Sequence, residues 1–314
     1  MSYALITKNE CALQKLSLEQ AKAQLGAFIL GCGSLVISNK QFNLLLVINQ
    51  IVVAKRAMVL LKQTYGLKFE IETYKRNNLT KNNIFQLRLK EKVKDILFDL
   101  GLYQDGYLNK TLSRTYLVNS ENIGAYLAGW FMIKGSINDP MSKSYHFEIT
   151  CHHKKTAEQI VNLVKVFGIK LKIFIRKEKY VLYVKSAESI GDILRLMQCN
   201  NSLLHFENIR IDRDFHNSLR RLDNCEVANE IKSIEAGQKQ LKAIELLIEK
   251  NQLQFLDKKL FDVAILRQKY PEASLNELCQ HLYEYNGNEV TKSGLRHRLN
   301  KLIDIAKRYE VEYE

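Results

Sequence analysis

The sequence predicts an α+β protein with two pseudo-symmetric αββαββα half-domains followed by an all-α helix-turn-helix domain. Three observations carry this. An apolar helix rich in small residues, 124–136, has an imperfect twin at 23–34, and their closing Gly-Ser pairs fall 102 positions apart (135 − 33). The same offset recurs where Tyr65-Gly66-Leu67-Lys68-Phe69-Glu70-Ile71 answers Phe167-Gly168-Ile169-Lys170-Leu171-Lys172-Ile173. A fixed offset held over two separate stretches signals an internal repeat. Residues 255–314, by contrast, carry only helical periodicity with start and stop signals.

A chain of 314 residues suggests about two domains. The 46% apolar content supports a full core, and two prolines with 14 glycines argue against long disordered tracts. The net charge of +13 is uneven: residues 1–225 hold 33 Lys and Arg against 19 Asp and Glu, and residues 226–314 hold 14 against 15. Such a surplus attracts polyanions, nucleic acid first and an anionic membrane second. The first residues lack a signal-peptide core, and the apolar run 26–37 is too short to span a bilayer. The six cysteines include no C-x-x-C pair, which fits a reduced cytoplasmic protein with buried thiols. Cys151-His152-His153 has no second ligand pair at zinc spacing and reads as a strand end, so no metal or other cofactor is expected.

In chain order, Ser17-Leu-Glu-Gln20 has capping-box form and opens the first repeat helix. Residues 35–50, broken at Ser38-Asn39-Lys40, read as a hairpin; 51–65 read as a helix stopped by Gly66. Strands at 68–74 and 84–90 flank a polar loop, 75–83, and a helix follows at 91–102. After a connector to Ser120 the order recurs: the 124–135 helix, a hairpin through the Asp139-Pro140 turn into 145–150, and a helix at 156–167. Strands at 169–176 and 180–185 and a helix at 189–197 complete it. The expected domains are 1–207 (half-domains about 17–102 and 120–199), a connecting helical segment 208–254, and a helix-turn-helix domain 255–314. Small residues on the two repeat helices let their backbones approach closely, so these helices are expected to pair.

Strand alternation assigns the sheet faces. In 170–176, Leu171, Ile173 and Ile175 point one way, while Lys170, Lys172 and Arg176 point the other with Phe174. Arg88 and Lys90 alternate likewise with Leu87 and Leu89, and Lys185 with Val184. One face is therefore core and the other basic. A solvated lysine-rich face and a nucleic-acid-facing saddle account for this pattern equally well.

In the last domain, 261–270 is a helix stopped by Pro271, and Ser274-Leu-Asn-Glu277 is a second capping box opening a helix to about Tyr285. Asn286-Gly287-Asn288 makes the turn, and Ser293 is placed to cap a third helix running to about Arg308. On that helix Leu295, Leu299, Leu302, Ile303 and Ala306 form one apolar stripe. The opposite face shows Ser293, His297, Asn300 and Lys301, flanked by Arg296 and Arg298; positions 292–301 hold four cations and no acid. Arg and Lys pair with guanine edges or phosphates and Asn with adenine, which suits a recognition helix. The alternative is a solvated helix of a structural bundle, consistent with the near-zero charge of this domain.

The repeat helices resemble the LAGLIDADG motif of homing endonucleases: Leu127-Ala128-Gly129 repeats its opening letters, and Gly33 and Gly135 fall at its closing glycine. The resemblance implies paired helices beneath a saddle-shaped sheet over DNA. At the motif's metal-binding acid, however, this chain has Cys32 and Lys134, and the earlier acidic letter is Leu30 and Met132. Lysine repels a divalent cation, so these degenerate catalytic positions predict no nuclease activity and no enzyme. With the C-terminal helix-turn-helix, the chain resembles the WhiA family of bacterial regulators. Leu203-Leu-His-Phe-Glu-Asn-Ile-Arg210, Asn224-Cys-Glu-Val-Ala-Asn229, Tyr270-Pro-Glu-Ala-Ser-Leu-Asn-Glu-Leu278 and Lys292-Ser-Gly-Leu-Arg-His-Arg-Leu299 carry that likeness.

The WhiA resemblance implies a DNA-binding transcriptional regulator tied to growth, cell division and chromosome segregation, with promoter DNA as partner. The C-terminal domain of that family resembles region 4 of sigma factors. By carry-over, DNA contacts fall on Lys292, Ser293, Gly294, Arg296, His297, Arg298 and Lys301, and His297 serves equally as a contact or as packing. A secondary DNA-facing saddle would comprise Arg88, Lys90, Lys170, Lys172, Arg176 and Lys185. RNA polymerase is a further candidate partner, a membrane is not, and a nucleoid-associated cytoplasmic monomer is expected because one chain holds both half-domains. The alternative reading is a LAGLIDADG-derived nuclease or RNA maturase; a third makes the saddle a platform for a small ligand or protein.

Overall fold

The computed structural model describes residues 1–38, 41–75 and 83–310. Two compact units divide the chain, Met1–Asp214 and Phe215–Glu314. The first opens with helix α1 (Tyr3–Leu13). The first repeat follows as α2 (Leu18–Cys32), β1 (Gly33–Ser38), β2 (Gln41–Ile48), α3 (Ile51–Tyr65), β3 (Glu70–Lys75), β4 (Asn83–Leu89) and α4 (Val93–Asp99). A two-stranded ribbon, β5 (Tyr103–Gln104) with β6 (Tyr107–Leu108), and a 3-10 turn at Arg114–Tyr116 lead to the second. It comprises α5 (Ser120–Lys134), β7 (Gly135–Ile137), β8 (Phe147–Cys151), α6 (Lys154–Lys165), β9 (Lys172–Arg176), β10 (Lys179–Val184) and α7 (Ala187–Leu196). Both sheets are antiparallel and share one strand order, β1-β2-β4-β3 and β7-β8-β10-β9. The αββαββα reading therefore holds in both halves. The expected turn at Asn39-Lys40 and most of the loop 75–83 lie outside the described residues.

Local chemistry explains the repeat. Ser17 and Gln20 form the expected capping box, and the Asn119 side chain accepts from the Asn122 N–H to start α5. Gly66 and Gly168, 102 apart, both end a helix in the left-handed region (φ +62° and +78°), where a side chain is strained. Between α2 and α5 the backbones nearly touch: a Cβ on Gly129 would stand 2.8 Å from the Ala27 Cβ and 2.9 Å from the Gln24 carbonyl oxygen. Buried Gln24 ties this seam together, accepting from the Arg56 Nε (2.7 Å) and donating to the Ala125 carbonyl (3.4 Å). Phe28, Tyr126, Trp130 and Phe131 fill the core around it, with Phe131 stacked on Phe147 at 5.4 Å.

The structure corrects the sequence-based face assignment at β9. Ile173 and Ile175, expected in the core, are 42% and 66% exposed. The alternation itself is kept, since Ile173 pairs with buried Leu182 and Ile175 with Tyr180. But β9 is the edge of its sheet, beyond the cover of the helices, and only Leu171 just before it is buried.

Helix α1 has no counterpart in the sequence reading. Its Glu10 carboxylate accepts from the N–H groups of Asn201 and Ser202 and from the Ser202 hydroxyl, while the Tyr3 hydroxyl donates to the Ser202 carbonyl. The Glu10 bonds satisfy donors in the first turn of α8 (Asn200–Glu249), a single 50-residue helix, and the Tyr3 bond adds a second tie to it. The division between units falls within α8. Its Ala243, Ile244 and Leu247 are buried in the second unit's core, which thus begins before residue 255. That core is completed by α9 (Lys258–Lys269), α10 (Leu275–Asn286) and α11 (Lys292–Glu310).

Candidate nucleic-acid interface

The second unit presents α11 through a set of specific anchors. Arg267, 3% exposed, donates from Nη1 to the carbonyls of Pro271 (3.4 Å) and Ala273 (2.6 Å), fixing the entry to α10. Ser274 and Glu277 form the expected capping box, and Tyr270 stacks on His281 at 4.0 Å. Asn286 donates to Asp262 (2.9 Å) at the end of α10, and Gly287 turns the chain at φ +71°. The cap of α11 is Thr291 rather than Ser293: the Thr291 Oγ1 accepts from the Gly294 N–H (3.2 Å), leaving Ser293 inside the first turn. Leu295, Leu299, Leu302 and Ala306 are buried, as the apolar stripe requires, and Ile303 at its margin is half-buried.

The opposite face divides the expected contact residues. Lys292, Ser293, Arg296 and His297 share one open groove with Thr291 and Asn300, about 630 Å³ in volume. Gly294, Arg298 and Lys301 lie outside its lining. Gly294 is half-buried, and its missing Cβ would meet Val290 and Thr291. Arg298 is half-buried because it stands three residues after Leu295 and four before Leu302, beside the apolar stripe. Lys301 is exposed on the flank. Among the described residues, no carboxylate lies within ion-pair distance of Lys292, Arg296, Arg298 or Lys301.

The saddle is less cationic than its lysine count suggests. Register places Glu70 opposite Arg88 and Glu72 opposite Gln86, so the open face of the first sheet carries acids beside its bases. Lys90 pairs with Glu70 at 2.6 Å and Arg88 with Glu72 at 3.9 Å; in the second sheet Arg176 meets Glu148 at 3.4 Å. Lys170, Lys172 and Lys185 are exposed with no ion-pair partner among the described residues. Phe174, 38% exposed, packs edge-on to Tyr183 between these charges.

Beneath the paired helices, Cys32 and Lys134 end α2 and α5 and line a common cavity. The Cys32 thiol donates to the Phe28 carbonyl (3.2 Å); burial pushes it up to about 12 against the pull of nearby Lys134. A divalent cation does not fit this donor set. Among the described residues the cavity lining holds no carboxylate, and a lysine stands where a hard oxygen ligand is needed. Among the described residues no group of three or more His, Cys, Asp or Glu side chains could hold a metal ion, and no helix is long and apolar enough to cross a membrane.

A duplicated, LAGLIDADG-like α+β unit joined to a helical unit of helix-turn-helix type defines a class of two-part protein. Family models match the chain in order: the WhiA N-terminal LAGLIDADG-like domain at residues 18–103, the WhiA LAGLIDADG-like domain at 123–216 and the WhiA C-terminal HTH domain at 219–306. The chain is 36% identical over 311 residues to the probable cell division protein WhiA of Latilactobacillus sakei, covering 98% of each. It is 37% identical over 308 residues to that of Ligilactobacillus salivarius, covering 98% of this chain and 97% of the relative. The chain belongs to the WhiA family. Its fold matches the crystal structure of full-length DUF199/WhiA from Thermotoga maritima with a TM-score of 0.57 and 22% identity, covering 98% of each chain.

Proposed function

We propose that this protein is a non-catalytic, sequence-specific DNA-binding regulator of transcription, linked to growth, cell division and chromosome segregation. The observation that carries the reading is the groove of α11, where Lys292, Arg296 and Asn300 stand exposed with no acid among them. Arg and Asn are the side chains whose paired hydrogen-bonding groups match guanine and adenine edges in the major groove. Ser293, Thr291 and the N-terminal turn of α11 supply donors for flanking phosphates. Support also comes from the helix-turn-helix family match and from the relatives' name, probable cell division protein.

In this reading Gly294, Arg298 and Lys301 support or flank the contact, and the unpaired lysines Lys170, Lys172 and Lys185 add sequence-independent attraction. The partners are duplex DNA at promoters and RNA polymerase, and the protein works as a nucleoid-associated cytoplasmic monomer. The nuclease or maturase alternative is disfavoured by the donor set at Cys32 and Lys134.

The test is selection of binding sites from random duplex DNA at about 150 mM salt, where non-specific attraction is partly screened. Full-length protein is compared with full-length Arg296→Ala and Asn300→Ala. The expected result is a motif for the unaltered protein that loses information at defined positions in each variant. An identical motif from all three would remove base reading from α11.

A further inference from the structure

We infer that the cavity beneath the paired helices is a binding site for a phosphoryl group, carried either by a small phosphorylated molecule or by a nucleic-acid backbone. The cavity measures about 230 Å³, smaller than the range typical of drug-sized ligands and suited to a compact anion. Two lysine side chains and one helix N-terminus converge on it. Lys134 closes α5. Lys8 of α1 enters from the side, only 9% exposed, with its ammonium 5.7 Å from the centre of the Phe131 ring. The 15-residue helix α3 begins at the wall, where Gln50 is its N-cap and makes no side-chain capping bond.

Among the described residues, neither Lys8 nor Lys134 has a carboxylate within ion-pair distance or a hydrogen-bond acceptor. Of the first N–H groups of α3, that of Val53, which lines the cavity, likewise has no acceptor among the described residues, since the α3 ladder starts at Ala54 N–H to the Gln50 carbonyl. A cation buried without a counter-charge is costly, and helix N-termini favour anions.

The bland account is that lysine complements the C-terminal dipoles of α2 and α5. Each C-terminus is equivalent to about half a negative charge, and the α3 N-terminus to about half a positive one. One lysine meets that demand; the second leaves the cavity positive. Burial holds the Lys8 ammonium down at about 8, the desolvation cost that a neighbouring anion offsets. A phosphoryl group, with up to two charges and three free oxygens, matches two ammonium groups and a helix N-terminus together.

The inference goes beyond the reading of α11 and stands or falls separately from it. It is tested by calorimetric titration of full-length protein with inorganic phosphate, against chloride at equal ionic strength. The variants are Lys134→Gln and Lys8→Met, with exposed Lys15→Gln as control. Saturable one-to-one binding, weakened at least about tenfold in either variant and unchanged in the control, is expected from loss of one charge-assisted contact. Should Lys8→Met fail to fold, half-buried Lys134 carries the test alone. Phosphate bound no better than chloride, or equally well by Lys134→Gln, overturns the proposal. Titrating duplex DNA with and without phosphate then names the source. Competition that Lys134→Gln abolishes assigns the group to a nucleic-acid backbone, and indifference assigns it to a small molecule.

Discussion

The saddle offers six cations and the face of α11 four, and the two sets are unlike in circumstance. On the saddle, Arg88, Lys90 and Arg176 each face a glutamate across the sheet, at 3.9, 2.6 and 3.4 Å. On α11, Lys292, Arg296, Arg298 and Lys301 face none among the described residues. A net charge of +13 says nothing about this difference, because it counts charges and not fields. The first unit holds nearly all of the surplus yet spreads it over paired and unpaired positions. The second is close to neutral yet keeps Lys292 and Arg296 together in one groove of α11. Local potential, not total charge, decides where a polyanion is held in a fixed register.

The widest separation between the two regions is expected at Arg296. Replacing it with alanine should weaken binding to the preferred site by about 1–3 kcal/mol while changing random duplex far less. Fluorescence anisotropy with both duplexes measures this, and an equal loss on both would make Arg296 a phosphate contact. Thr291→Ala acts one step earlier, on the helix that carries the residue. Losing the bond to the Gly294 N–H should cost about 1 kcal/mol of stability in thermal unfolding and blunt site preference in proportion. On the saddle, Lys172→Ala should reduce affinity equally for all sequences and lower the salt slope by about 0.9 if Lys172 meets a phosphate. Arg176→Ala should do less, because Glu148 already offsets that charge.

How much of this could be read from the chain depends on the range of the interaction. The offset of 102, the two capping boxes and the stop at Gly66 are written in neighbouring residues, so both repeats and the α11 stripe were legible. The pairing of α2 and α5 was legible too, because the small residues that permit it lie on the helices themselves, while the structure alone places the closest approach at Gly129. What escaped depends on register and edges. Glu70 and Lys90 are twenty positions apart and meet only because β3 and β4 pair as they do. Ile173 and Ile175 alternate like core residues, but alternation cannot show that β9 is an edge. Helix α1 was missed because its role, holding the first turn of α8 through Glu10 and Tyr3, joins residues nearly 200 positions apart. Thr291 and Ser293 both precede the apolar stripe, and only the helix start decides which of them caps α11.

The smallest effect is the most pointed test of the comparison, since it adds attraction instead of removing it. Glu70→Gln with Glu72→Gln keeps side-chain shape, leaves both side chains on an exposed strand, and releases Lys90 and Arg88 from their partners. Exposed pairs of this kind contribute only about 0.2–1 kcal/mol, so the fold should be retained. If pairing is what silences the first sheet, the double variant should bind random duplex a few-fold more tightly, with a steeper salt dependence and an unchanged preferred motif. An unchanged affinity would mean that this sheet never meets DNA, and that the unpaired lysines of the second sheet, Lys170, Lys172 and Lys185, are the saddle's whole contribution.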